Sequence, residues 1–241
     1  MRFFRVQLGL GLLLLAAPAV AAVGQVSALE GKAVRVAKAG AEQPLSVGIA
    51  LELEDTIRTA GDGSVKLLLS DGTALALGPD SELVLDVAEF SGQERGAFSA
   101  RLVLGQFWAK VKKVAAGSTS RFEVKAGRAV AGVRGTIFRV DATPSVAGSR
   151  PPKIRETLVR VLEGKVGVDA EIRKSKPAPT PPPGPRHEVP GPSEVTAEEW
   201  EKRFVELQAR QQVSIGDTYF RTGTFNPNKK DALDRFLDKH P

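Results

Sequence analysis

The most informative stretch of this sequence is Val130-Ala131-Gly132-Val133-Arg134-Gly135-Thr136-Ile137-Phe138-Arg139-Val140. It places Arg134 between small residues in what otherwise has the composition of a buried β-strand. An unpaired buried guanidinium is costly, so Arg134 needs a carboxylate, backbone carbonyls or water. Either Arg134 points toward the core beside Phe138, or a bulge near Gly132 or Gly135 changes the strand register.

Two roles are open for Arg134. It can be a structural arginine that fixes the fold, or it can contact a ligand or a partner. Paired buried ions are often structural, which favours the first role. We therefore predict a buried Arg134 paired with an acid of the early strands, with Asp55 as the first choice and Asp71 as the second.

On both sides of this stretch, from residue 24 to residue 169, the chain consists of brief apolar runs separated by Gly, Asp and Ser. Many runs alternate apolar and polar residues, as half-buried strands do. Turn chemistry separates them at Asp62-Gly63 and Asp71-Gly72, because Asp-Gly readily adopts positive φ. The pattern predicts an all-β fold: a β-roll, a sandwich or a short β-solenoid.

A short phrase recurs around Gly31, Gly105 and Gly164. Each copy is an apolar segment, a glycine and then another strand. Such glycines are typical of strands that bend at a corner and pass into the next layer. The repeat is too irregular to indicate a long solenoid.

The N-terminus has the pattern of a secretory signal peptide. A basic start is followed by the apolar run 8–17, and Ala19 and Ala21 fit a cleavage site after Ala21 or Ala22. We expect a periplasmic or secreted protein without a transmembrane helix in the mature chain. An uncleaved N-terminal membrane anchor is the alternative.

Composition excludes several functional classes. The formal charge is +6, but the basic residues are scattered among acids, so nucleic acid is not an expected partner. The chain contains no cysteine, and its two histidines, His187 and His240, lie outside the β region. A His-dependent triad or a Cys/His metal site is therefore not expected there, and we predict no enzymatic activity, no cofactor and no metal.

Beyond the β region lies a proline-rich run, 177–185, which is typical of an extended spacer. Thr196-Ala197-Glu198-Glu199 resembles a capping box, and it predicts a helix with Trp200, Phe204 and Leu207 on one face. A second helix is predicted after Asn226-Pro227, with an apolar stripe of Leu233, Phe236 and Leu237. These helices either dock on the β region or form a tethered module that binds a partner.

The sequence thus divides into a signal peptide (1–22), an all-β domain (23–170), a proline-rich linker (171–192) and a small helical tail (193–241). The tethered-module hypothesis makes the tail dispensable for folding but necessary for partner binding. The candidate partner contacts are Trp108, Trp200, Phe204 and Leu207, because exposed aromatic and apolar side chains suit such contacts.

Five phrases together resemble the FecR domain, the periplasmic domain of bacterial ferric-citrate-type regulators. They are 24–31, 47–59, Leu68-Leu69-Ser70-Asp71-Gly72-Thr73, Gly132-Val133-Arg134-Gly135-Thr136-Ile137-Phe138 and 161–166. The motif residues within them are Asp55, Thr56, Thr59, Asp71, Gly72, Arg134, Gly135 and Thr136. The resemblance implies an all-β envelope domain that senses or binds and does not catalyse.

One departure from this family affects the expected function. The regulators have a cytoplasmic anti-sigma segment and a membrane span before the domain, whereas this chain starts with a signal-peptide pattern. We therefore expect a stand-alone exported member without direct sigma-factor contact. It would bind or sense an envelope protein or a cell-wall component; the alternative is a purely structural envelope or assembly component, and a carbohydrate-active enzyme is less favoured.

Overall fold

The computed structural model describes residues 22–115, 119–146, 153–174 and 200–241. Residues 1–21 of the predicted signal peptide, residues 175–192 of the predicted linker and the predicted capping box at 196–199 lie outside these ranges. Among the described residues, no helix combines the length and the hydropathy needed to cross a membrane.

The all-β prediction is confirmed, since the described chain contains many strands and one short helix. The strands are β1 (Gly24–Glu30), β2 (Ala33–Val36), β3 (Glu42–Pro44), β4 (Ala50–Leu51), β5 (Thr56–Thr59), β6 (Ser64–Leu69), β7 (Ala74–Leu77), β8 (Glu82–Ser91), β9 (Glu94–Lys110), β10 (Arg121–Ala126), β11 (Ala129–Val133), β12 (Ile137–Pro144), β13 (Ile154–Glu163), β14 (Lys165–Arg173), β15 (Trp200–Gln208), β16 (Gln211–Gly216) and β17 (Phe220–Thr224). The helix is α1 (Ala232–Lys239).

The strands form two layers that share β9. Sheet A has the order β4-β1-β6-β7-β9-β12-β13-β16-β17. Sheet B has the order β3-β2-β5-β8-β9-β10-β11-β14-β15. Neighbouring strands are antiparallel apart from the parallel pair β9 and β10. The core lies between the layers, where Phe98 stacks on Phe122 with ring centroids 4.8 Å apart.

The recurring glycines mark the places where the chain changes layer. Gly31 separates β1 of sheet A from β2 of sheet B, Gly164 separates β13 from β14, and β9 crosses between the sheets at Gly105. All three have positive φ, of 64°, 82° and 93°. A Cβ on Gly105 would lie 2.2 Å from the Ser81 hydroxyl, so only glycine fits. The predicted corner role of these glycines is confirmed.

Arg134 lies at another layer change, and its predicted burial is wrong. The chain leaves sheet B at Val133, turns at Gly135 (φ 64°) and enters sheet A at Ile137. Arg134 is therefore in a turn, not in a strand, and its side chain is exposed. Neither alternative for this stretch holds, since Arg134 does not point toward the core and Gly135 forms a turn between two strands rather than a bulge within one.

The predicted first helix of the tail is also wrong, because residues 200–208 form strand β15. They pair with β14 over their whole length, from Arg173 opposite Trp200 to Lys165 opposite Gln208. Period-2 alternation directs Leu207 into the core and Phe204 outward. Nine residues of ladder pairing outweigh a helical preference that is weak without packing.

The second predicted helix is confirmed as α1, although it begins at Ala232, several residues after Asn226-Pro227. Asp231 caps it by accepting from the Asp234 N–H, and the side chain of Asp234 accepts a hydrogen bond from the Asp231 backbone N–H. Leu233 and Phe236 pack on the outer face of sheet A against small strand residues, Ala28 and Ala76. Strands β15, β16 and β17 thus extend the two sheets, and α1 packs on the outer face of sheet A.

Candidate functional site

The Asp55 motif builds a layer-crossing turn. Asp55 is 1% exposed, lies 2.7 Å from Arg35 in an ion pair and accepts a hydrogen bond from the Glu52 backbone N–H. Thr56 is half-buried in β5. The Thr59 hydroxyl donates to the Gly78 carbonyl at 2.6 Å and accepts from the Ser81 N–H. These groups hold the backbone of neighbouring strand ends.

The Asp71 motif holds a buried ion pair that does not involve Arg134. Asp71 accepts hydrogen bonds from the N–H and the hydroxyl of Thr73, while Gly72 takes a φ of 85°. Arg95 lies 2.6 Å from Asp71, and both side chains are almost fully buried. Burial lowers the pKa of Arg95, and the attraction of Asp71 offsets part of that effect.

Thr136 joins two layer crossings. It is 1% exposed, and its hydroxyl donates to the Lys165 carbonyl at 2.9 Å, next to the corner at Gly164. The motif residues other than Arg134 therefore hold corners and turns, and the groups that could contact a partner lie elsewhere.

The four predicted partner contacts have different surroundings. Leu207 is 1% exposed in the core, so its predicted role as a contact is wrong. Trp108 is half-buried and packs against the cluster that contains Leu233 and Phe236 of α1. Phe204 is 66% exposed, and Trp200 lies near it on the same outer face of β15. The structure thus places only Trp200 and Phe204 together on an accessible surface.

Trp200 and Phe204 line a groove of about 680 Å³ on the outer face of sheet B, which we call the sheet B groove. Its lining includes five basic residues and two acids: Arg101, Lys125, Arg128, Lys202, Arg203, Asp169 and Glu171. The Arg128 guanidinium lies over the Trp200 ring at 4.6 Å, which fixes the indole. Lys125 is exposed and has no acidic partner within the described ranges.

The strand register explains why these side chains meet. Arg101, Lys125, Val130, Asp169 and Phe204 are direct cross-strand neighbours from β9 through β10, β11 and β14 to β15. Residues in such a row project from the same face of the sheet. Sequence-distant groups thereby form one continuous basic and aromatic surface.

Two facing glycines, Gly132 and Gly167, form a bare floor beside this row. A Cβ on Gly167 would lie 3.4 Å from the Phe204 ring, and one on Gly132 would meet only the Gly167 carbonyl at 4.0 Å. The floor therefore leaves backbone accessible next to an exposed aromatic ring. Such a surface can bind an extended or planar group.

A larger cleft of about 1070 Å³ lies at the bend of β9, but its arginines are already paired. Arg58 lies 3.0 Å from Glu82, and Arg139 and Arg160 both contact Asp141. Charges neutralised within the chain have little left for a charged ligand. The sheet B groove is the stronger candidate because it also holds Lys125, which has no acidic partner among the described residues, and the exposed ring of Phe204.

Arg139 also fastens α1 to sheet A. Its side chain is 4% exposed and contacts Asp141 of β12, together with Asp231 and Asp234 of the helix start. We call these four residues the helix latch. Burial opposes the charged form of Arg139, but the three carboxylates outweigh it and raise its pKa. Burial likewise opposes the charge on Asp231, yet the hydrogen bond from Arg139 lowers its pKa to about 2.

Sequence reasoning missed the basic part of the groove and the helix latch. Lys125 and Arg128 gave no motif, because their relation to Trp200 depends on the pairing of β11, β14 and β15. The helix latch was partly detectable in the sequence, since Asp231 and Asp234 have the spacing of a capping box at the start of a helix. In the described ranges, no group of His, Asp or Glu has the arrangement of a metal site.

Residues 55–167 match the family model described as FecR protein. Over this segment the chain is similar to a FecR domain. The match includes Asp55, Asp71 and the Val-Arg-Gly-Thr turn, which agrees with the predicted resemblance. It ends in β14, so the FecR domain supplies one side of the sheet B groove, and the following segment supplies Trp200 and Phe204.

Two solved structures are similar to this chain. Both are crystal structures of a candidate anti-sigma factor from Parabacteroides distasonis ATCC 8503, at 2.50 and 1.65 Å resolution. Each is 16% identical to this chain, with TM-scores of 0.47 and 0.48 and coverage of 75% and 76% of it. The matches cover 62% and 64% of those structures, so this chain spans less than two thirds of their length. No curated protein matches the chain.

Proposed function

We propose that this FecR-domain protein is a non-enzymatic sensing or binding component of the bacterial envelope, and that it binds an anionic partner in the sheet B groove. The observation that carries the proposal is the groove itself. It combines the exposed ring of Phe204, the fixed indole of Trp200 and five basic side chains against two acids.

The charges of the groove favour a negatively charged partner. Four of the five basic side chains have an acid nearby: Arg101 lies 2.9 Å from Asp86, Arg128 3.2 Å from Asp217, Lys202 3.8 Å from Glu171 and Arg203 3.0 Å from Glu201. Lys125 remains available, and attraction between exposed charges falls off over about 8 Å at physiological salt. Binding should therefore weaken as the salt concentration rises.

The cellular location is part of the proposal. The signal-peptide pattern at residues 1–22 supports export, and FecR domains belong to the periplasmic side of regulators. An exported protein meets envelope proteins and cell-wall polymers, both of which carry acidic groups. A direct contact with a sigma factor does not fit that location.

The experiment uses the full mature chain and two charge-reversal variants. Lys125→Glu changes the groove, and Lys153→Glu is the matched control, since Lys153 is exposed and lies outside the groove lining. Binding to purified cell-wall sacculi is measured by co-sedimentation, and binding to envelope proteins by quantitative capture and mass spectrometry. Both are repeated at low and high salt.

The proposal expects a partner that Lys153→Glu retains and Lys125→Glu loses, by at least about tenfold in affinity at low salt. Arg128→Ala should weaken the same interaction, because it releases Trp200. The assay arm in which the loss occurs identifies the partner as protein or cell wall. Equal binding by the wild-type, Lys125→Glu and Lys153→Glu proteins would exclude the groove as the binding surface.

A further inference from the structure

Among the described residues, strand β15 pairs only with β14 and is an open edge of sheet B. The described edges of the two sheets are β3, β4, β15 and β17, which contain 3, 2, 9 and 5 residues. Strand β15 contains no glycine or proline, and its ladder with β14 has no bulge. Proteins usually shorten or interrupt exposed edges, because unpaired backbone groups there attract another strand.

Three hydrogen bonds show which backbone groups of β15 point outward. On β14, the Glu171 N–H bonds to the Arg128 carbonyl and the Arg173 N–H bonds to the Asp217 carbonyl, both away from β15. On β15, the Gln208 N–H bonds to the Gln211 side chain. Since antiparallel ladders alternate, the outward-facing groups are those of the even-numbered residues: Trp200, Lys202, Phe204 and Glu206.

The sequence of these outward residues is self-complementary. If a second strand β15 pairs antiparallel about a two-fold axis at Phe204, the two Phe204 residues face each other. Lys202 then faces Glu206 of the second copy, and Glu206 faces its Lys202. These three pairs exchange about six backbone hydrogen bonds, and both charge pairs are attractive.

The charges of β15 disfavour several other two-fold registers, because those registers place like charges opposite each other. An axis at Lys202 places the two Lys202 side chains opposite each other, and an axis at Glu206 does the same for Glu206. An axis at Arg203 opposes the two Arg203 guanidinium groups. Like charges directly opposite destabilise a strand pair. An axis at Val205 opposes no like charges, but it loses both Lys202–Glu206 pairs, so the register at Phe204 is the favoured one.

We propose that β15 joins two copies of this protein into a dimer by antiparallel pairing centred on Phe204. Phe204 is 66% exposed in the single chain, and Lys202 is 87% exposed, so both side chains are available for the contact. The two B sheets then continue into one sheet. The two sheet B grooves lie on the same face of it, on either side of the axis.

The first test is a charge exchange in the full mature chain, read by sedimentation velocity across a concentration series. Lys202→Glu alone and Glu206→Lys alone should each raise the dimer dissociation constant about tenfold or more, since each places like charges opposite each other twice. The double variant Lys202→Glu/Glu206→Lys should return it to near the wild-type value. Thermal melts of each variant establish that the fold is retained.

The second test uses the absence of cysteine from the chain. Phe204→Cys places two thiols on residues whose Cα atoms are about 5.5 Å apart across the axis, within disulfide range. Lys202→Cys is the matched control, since its copies lie about four residues apart along the strands, more than about 13 Å. Mild oxidation should give a covalent dimer only for Phe204→Cys.

A wild-type chain that stays monomeric at high micromolar concentration would overturn the dimer. Two results would overturn the β15 register: equal crosslinking of the Lys202→Cys and Phe204→Cys variants, or failure of the double charge exchange to restore the dimer. Lys125→Glu should leave the dimer intact, because Lys125 lies on β10. The dimer and the groove proposal can therefore fail independently.

Discussion

Removal of the Arg139 guanidinium should strongly destabilise the protein and release α1. In Arg139→Ala, three carboxylates lose their shared cation at once. Asp141 keeps its contact with Arg160, whereas Asp231 and Asp234 at the start of α1 lose their ion pair with sheet A. Breaking a buried ion pair by deleting one partner costs about 3–5 kcal/mol. For a chain of this size, that corresponds to a fall in Tm of roughly 6–20 °C.

The structure supplies both a reporter and a matched control. The chain has two tryptophans, and Trp108 packs against the cluster that contains Leu233 and Phe236 of α1. In a Trp200→Phe background, the emission of Trp108 therefore reports whether α1 is docked. Arg101→Ala is the control, because Arg101 is 54% exposed in its pair with Asp86, and exposed pairs contribute about 0–1 kcal/mol.

In unfolding titrations with guanidinium chloride, the denaturant concentration at the midpoint should fall strongly for Arg139→Ala and only slightly for Arg101→Ala. Trp108 emission should move to the red in Arg139→Ala under native conditions, because water reaches the indole when the helix leaves. A loss below about 1 kcal/mol with unchanged emission would refute the reasoning. It would mean that apolar packing of the helix alone holds α1 on sheet A.

Three further predictions test other features of the fold. Gly105→Ala should prevent normal folding because its Cβ meets Ser81, whereas Gly40→Ala, which also has positive φ but nothing within 4 Å, should cost only about 1 kcal/mol in chemical denaturation. The pKa of Asp231 is about 2 in the folded protein, against 3.8 in the unfolded chain, so the ionised carboxylate stabilises the fold above about pH 4. The free energy of unfolding should therefore fall by about 1–2 kcal/mol between about pH 4 and pH 2, after allowance for solvent screening. Asp231→Asn should remove that part of the pH dependence. Arg134→Ala should change stability by less than about 0.5 kcal/mol, whereas Arg95→Ala should cost about 3–5 kcal/mol; equal losses in thermal melts would contradict the exposed placement of Arg134.

The predictable part of the fold came from local chemistry. Asp-Gly turns, alternating runs and corner glycines act within a few residues, and Gly31, Gly105 and Gly164 all change layer as expected. Two of the errors, the burial of Arg134 and the first tail helix, have a different cause. Apolar neighbours suggested burial for Arg134, but its strand ends one residue earlier, at Val133.

The tail shows how distant pairing overrides local preference. Residues 200–208 fit two patterns. Trp200, Phe204 and Leu207 lie on one face of a helix, whereas in a strand Leu207 lies on the opposite face from Trp200 and Phe204. The ladder with β14 decides between them, and nothing near residue 200 announces that ladder. The sheet B groove was only half predictable for the same reason: Trp200 and Phe204 stand out in the sequence, while Lys125 and Arg128 do not.

The closure of the C-terminal helix onto the first strand affects how the protein reaches its native state. Lys239 contacts Glu30, 209 residues earlier, and Lys66 donates to the carbonyls of His240 and Pro241. These contacts form only after residues 239–241 have been synthesised. Topologies rich in such distant contacts fold on the millisecond-to-second scale. A nascent chain of this protein therefore lacks its complete native structure until the segment that follows β17 is available to dock on the first strand.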